Sequence, residues 1–277
     1  MIKINFVALL IMLIGQVSLM AQGNLISEMA AQEDKLYADT KQVNQFFRRF
    51  NGEEDEQGNK YFEDNRLYRS RKIRTDFIPI LFDLQSGIEK AAIEIFLDEV
   101  TDKKNPVFLD FHAVSWFAEV STDFTYHNKK SSVILFMEIQ QQNKGYEWVI
   151  ADVLFDPFQR QFSKDTTETK PFLHPMSHEL DFMNLRKAFE QKVNPESFTK
   201  DDFNPDYVTL FLYELKTGNL SFETVTNVKF HFFNIDGWYF ELSKFNRPGM
   251  NSGWLITNLV SINADQKQQL ESFIYGK

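Results

Sequence analysis

Residues 115–139 read SWFAEVSTDFTYHNKKSSVILFMEI. In the closing run Val133, Leu135, Met137 and Ile139 point one way and Ser132, Ile134, Phe136 and Glu138 the other, the period of two that a β-strand imposes. Both sets carry apolar side chains. An antiparallel strand of this kind has both faces covered, here by a helix on one side and by a pocket or a second sheet on the other.

Working outward, the same stretch aligns with a later part of the chain at an offset of 95 residues, without a gap from Ser115 to Ile139. Trp116 meets Phe211, Glu119 meets Glu214, Val120 meets Leu215, Val133 meets Val228, Leu135 meets Phe230 and Met137 meets Phe232. A final strand follows in each copy, Trp148-Val149-Ile150 and Trp254-Leu255-Ile256, now at an offset of 106, which places an 11-residue insertion around Phe245-Asn246-Arg247-Pro248-Gly249. The expectation is two tandem units with superposable sheets, in which Leu135 and Phe230 share a facing and Trp148 and Trp254 correspond.

Each sheet is preceded by residues with helical spacing: Leu36, Val43, Phe46, Phe47 and Phe50 in the first copy, Leu180, Phe182, Leu185, Phe189 and Val193 in the second. Ser177 suits an N-cap, and Asn51-Gly52 and Asn194-Pro195 suit stops. A further helix is expected from Ser86 to Val100, with Ile88, Ala91, Ala92, Ile95 and Phe96 on one side. Between the copies, 156–176 carries a polar run and three prolines and reads as a linker. The expected divisions are therefore 1–21, unit 1 over 22–155, the linker, and a shorter unit 2 over 177–277.

Helices, a bent antiparallel sheet and a closing strand of Trp followed by two aliphatics resemble the NTF2-like (nuclear transport factor 2-like, cystatin-like) α+β cone. The tandem arrangement is similar to exported proteins of unassigned role from Gram-negative bacteria. The resemblance implies a concave sheet that holds a ligand. In enzymes of this superfamily it also implies an acid, or an acid with a histidine, inside the cone; no catalytic motif of theirs maps onto this chain.

The first residues place Lys3 before the apolar stretch Phe6–Ile14 and end on Leu19-Met20-Ala21, the pattern of a cleaved signal peptide. Cleavage near Ala21 leads to the periplasm or beyond. With no cysteine, disulfides, thiolate metal sites and a lipid-bearing cysteine are excluded. A formal charge of −9 disfavours nucleic acid, whose phosphates require a basic surface.

Most polar residues of chemical interest read as structural. Asp110 and His112 stand before the strand of Trp116, and His127 and His231 in or beside strands. His174 and His178 have a helical metal-ligand spacing interrupted by Pro175, and Asp202-Phe203-Asn204-Pro205-Asp206 imitates half a calcium loop but reads better as an N-cap or a turn. Asp165-Thr166-Thr167 is similar to an O-glycan acceptor sequence. Arg66, Arg69, Arg71, Lys72 and Arg74 form a candidate anion site, since arginine forks match such groups. No catalytic residue, metal or cofactor is assigned.

The aromatic residues carry the functional expectation. Phe46, Phe50, Trp116, Phe136 and Trp148 are expected to line a cone that holds a small apolar or glycan ligand. The competing expectations are a protein-interaction role with filled cones, and an isomerase- or hydratase-like enzyme.

Overall fold

The computed structural model describes residues 43–55, 58–143, 145–162, 172–189, 195–246 and 252–276. The expected signal peptide, Leu36, Val193, the glycan acceptor and most of the expected insertion lie outside those residues. The chain is mixed α and β, built on a six-stranded antiparallel sheet. It divides into two compact units, Met1–Phe111 with Lys244–Asn258, and His112–Ser243 with Leu259–Lys277.

In the first unit, helix α1 spans residues 43–51 and buries Val43, Phe46, Phe47 and Phe50, the expected stripe. Gly52 stops it with φ of +70°, and a Cβ there would come within 2.9 Å of Arg74 Cγ, so only glycine fits. Asn51 clamps the end, donating to the Leu109 carbonyl and accepting from its N–H, both at 2.8 Å. Helix α2 (Arg71–Phe77) runs into a 3₁₀ turn, Ile78–Leu81, and α3 spans Lys90–Val100. The helix expected from Ser86 thus begins four residues later, and its buried side is set by Phe96 and Val100 while Ile95 faces solvent.

The second unit contains strands β1 (Trp116–Tyr126), β2 (Lys129–Gln142), β3 (Gly145–Leu154), β4 (Leu220–Ile235) and β5 (Trp238–Phe245). With β6 (Gly253–Ser261) the sheet order is β3-β2-β1-β4-β5-β6. Two three-stranded meanders therefore join through their first strands, Val120 lying opposite Val228. His127 (φ 46°) and Asn128 (φ 62°) make the tight β1–β2 turn, which places His127 in a hairpin and not on a strand.

This topology corrects the 95-residue correspondence. Trp116 is on a strand, but its partner Phe211 lies in helix α5 (Tyr207–Thr217). Asp206 caps that helix, accepting from the N–H groups of Val208 and Thr209, and Gly218 ends it at φ of +77°. Val208, Phe211 and Leu215 meet the sheet at helical spacing. Leu135 and Phe230 do share a face, because their β1 partners Val120 and Ala118 are two residues apart. They stand on β2 and β4 of one sheet, however, and not at equivalent places in two sheets. Trp148 and Trp254 each fall on the third strand of a meander.

Both faces of this sheet are covered within the second unit. On one, Phe124, Val133 and Val153 pack with Phe211 of α5 and Phe158 of α4 (Asp156–Gln161), a helix formed inside the expected linker. On the other, Phe117, Phe136, Phe233 and Tyr239 pack with Leu270 and Ile274 of α6 (Ala264–Ile274) and with Tyr275. Helix α6, started by the capping box of Asn263 and Gln266, was not anticipated. The helix expected over Leu180–Val193 is instead two 3₁₀ segments, Pro175–Leu180 and Met183–Phe189. Among the described residues, no helix is long and apolar enough to cross a membrane.

Candidate functional site

The five residues expected to line one cone are divided between the two units and, within the second, between the two faces of the sheet. Phe46 and Phe50 belong to the first unit, where Phe50 meets Phe96 at a ring distance of 6.2 Å. Trp116 and Trp148 lie on one face of the sheet and Phe136 on the other, since Phe136 pairs with Glu119 while Trp116 is an odd number of residues away. Trp116 stacks on Phe232 at 5.1 Å and meets Trp148 edge-on at 5.4 Å, and Phe232 stacks in turn on Phe240 at 4.6 Å. Phe136 is enclosed by Phe117 and Tyr275. Trp116 is 1% exposed and Trp148, on the edge strand, 38%. Four of the five are therefore core.

The expected anion site disperses in the same way. Arg74 is 1% exposed and donates to the carbonyls of Phe50 and Val107, its guanidinium lying over the rings of Phe50 and Phe108. Burial, then the charge of Arg69, lowers its pKa. Arg71 donates to the Thr101 carbonyl, and Arg69 pairs with Glu53 at 2.7 Å. Arg66 and Lys72 are exposed. His174 accepts from the Met176 N–H through Nδ1 and His178 meets the Pro175 carbonyl, so each serves the chain locally.

A polar chain not assembled by sequence reading crosses the α6 side of the sheet. Glu119 on β1 stands 3.0 Å from His231 Nε2 on β4, His231 Nδ1 stands 2.8 Å from the Tyr239 hydroxyl on β5, and that hydroxyl donates to Glu241 at 2.7 Å. If Tyr239 gives its proton to Glu241, its oxygen must accept from Nδ1–H. Nε2 faces the Glu119 carboxylate, so both ring nitrogens are engaged. Hydrogen bonding from His231 lowers the Glu119 pKa, burial opposing, and burial raises that of Tyr239.

This chain has the parts of a proton relay, but its histidine is closed to a substrate. His231 is 2% exposed, both its nitrogens are engaged by protein, and Phe117 stacks on its ring at 4.9 Å. A general base must reach the proton it removes. The sequence did carry a trace of the arrangement, because His231 interrupts the run Phe230, Phe232, Phe233, where an unsatisfied polar group would be costly.

A different concavity lies in the first unit. It encloses about 620 Å³, is open to solvent, and is walled by Arg48, Lys60, Tyr61, Phe62, Glu63 and Tyr68 with Glu53 and Asp64. Its wall residue Arg48 is fixed by Glu54, which is fully buried and accepts from Gln45 Nε2 at 2.7 Å and Arg48 Nε at 2.6 Å. Comparison with models of known families, with characterised proteins and with solved structures finds no match to this chain.

Proposed function

We propose that this chain is an exported, non-catalytic binding protein that works by contact with another protein through residues 172–189. The order of a helical segment and a strand triplet, used twice, supports a distant tandem NTF2-like origin in which the cones have been filled. The single observation that carries the functional reading is the exposure of a run of large apolar side chains there. Phe172, Leu180, Phe182, Met183 and Phe189 all face solvent, Phe189 at 77%.

An exposed apolar cluster on a chain with well-filled cores marks a contact surface. The local sequence agrees, for Phe182, Leu185 and Phe189 have helical spacing, yet the chain breaks into 3₁₀ segments at Asp181 (φ 48°) and Phe182 (φ 54°). Positive φ at a bulky residue stores roughly 1–3 kcal/mol of strain. A partner groove that accepts a helix would relieve that strain and bury the stripe in one step.

A photo-crosslinking residue placed at Phe182 or Phe189 tests this in exporting cells, with Ile95 as an exposed apolar control. The expected result is one discrete adduct from both test positions and none from the control. Adducts of equal pattern from all three positions, or none at all, would remove the reading.

A further inference from the structure

The open concavity of the first unit has the makings of a second binding site, and we infer that it takes a neutral oligosaccharide. The inference is independent of the protein-contact reading, since it uses other residues in the other unit. It rests on three features of the same depression: its volume, the prior bonding of its wall residues and the balance of groups they present.

The volume of about 620 Å³ falls within the roughly 300–1,000 Å³ usual for ligand sites. Part of the wall is held before any ligand arrives. The buried Glu54 carboxylate fixes Arg48 and Gln45, with Arg49 Nε at 3.4 Å, while the Tyr61 N–H donates to the Glu53 carbonyl and the Asp55 N–H to the Asn59 carbonyl. The Asp55 carboxylate accepts in return from the Asn59 N–H and Nδ2. A site supported in this way loses little entropy on binding.

The wall decides the ligand class. Tyr61, Phe62 and Tyr68 offer aromatic faces, Phe62 being largely exposed, and such faces take the C–H side of a sugar ring. The charged groups largely cancel: Arg48 is held by Glu54, and Glu53 by Arg69, with the Tyr68 hydroxyl 3.5 Å from Glu53. What remains is one ammonium, Lys60, beside two carboxylates, Glu63 and Asp64. An anionic ligand would meet the carboxylates and a cationic one the ammonium. Hydroxyls both donate and accept, so a neutral polyol satisfies donors and acceptors together. The depression is open along its outer side, which suits a chain of sugars.

Calorimetric titration of the purified chain with maltohexaose, cellohexaose, xylohexaose and chitohexaose tests this, with hexagalacturonate and the fully deacetylated glucosamine hexamer as charged probes. At least one neutral probe should bind. Phe62→Ala should weaken it tenfold or more with an unchanged melting temperature, whereas Phe273→Ala, an equally exposed aromatic in the other unit, should leave it unaltered. Glu63→Gln, which keeps the shape and an acceptor, should weaken it less than Phe62→Ala. No binding by any neutral probe, binding of a charged probe alone, or equal loss from Phe62→Ala and Phe273→Ala would overturn the assignment. None of these results bears on crosslinking from Phe182, so the two readings fail separately.

Discussion

Arg74 belongs to a basic run that looks like a surface feature, and the fold makes it a core residue. Its fork replaces backbone partners that Phe50 and Val107 would otherwise lack. Leaving two buried carbonyls unpaired costs about 1–3 kcal/mol each, so Arg74→Met should lower unfolding free energy by roughly 3 kcal/mol in denaturant titration. Arg74→Lys should recover only part of this, because an ammonium has no planar fork to serve both carbonyls. Glu119 gives a pH-dependent counterpart. Its folded pKa lies below the ordinary glutamate value of about 4.3, so it contributes stability above that value and loses it as pH falls through the folded pKa. Glu119→Gln should cost about 2 kcal/mol at neutral pH and flatten the acid limb of a stability-against-pH curve. An acid limb identical to that of the wild type would rule out the Glu119–His231 bond. His231 was visible in the sequence as a polar interruption, but its partners come from strands 112 and 8 residues away, and no local pattern joins them.

Periodicity located the elements wherever one face decided burial, and misled where it did not. The stripe of α1 was legible, since the helix buries the residues that its spacing selects, whereas β2, covered on both faces, buries Val133, Phe136 and Ile139 without following its alternation. Helix α5 was obscured because its sequence YVTLFLYELKT is apolar enough to match a strand, and only the cap at Asp206 marks its start. Asp206→Ala should therefore cost about 1 kcal/mol, the usual value of an N-cap, measured by thermal unfolding. Helix α6 was missed because its sequence is polar on most sides, with Leu270 and Ile274 as its main contacts. Tyr275→Ala, which uncovers Phe117 and Phe136 and removes the bond to Glu138, should cost about 3 kcal/mol. A change below about 0.5 kcal/mol would mean that α6 does not close this face.

At the scale of the whole molecule, the sequence disclosed two strand triplets but not how they meet. Each triplet has the alternation of a sheet covered on both sides, and two separate cones satisfy that pattern as well as one continuous sheet does. The difference is made by β1 and β4, whose pairing from Trp116–Phe232 to Tyr126–Leu220 cannot be read from either strand alone. Joining them stacks Trp116 on Phe232 and turns Trp116 from an expected ligand-binding residue into packing. The chain has no cysteine, so an engineered pair reports on this joint without competition. Val120 and Val228 are directly opposite and lie between the bonded pairs, a position where Cα atoms stand about 4.5 Å apart, within disulfide range. The Val120→Cys, Val228→Cys double variant should oxidise to a single intramolecular disulfide and raise unfolding free energy by about 2–4 kcal/mol. A pair that stays reduced under mild oxidant, or crosslinks only between molecules, would contradict the continuous sheet and reopen the cones.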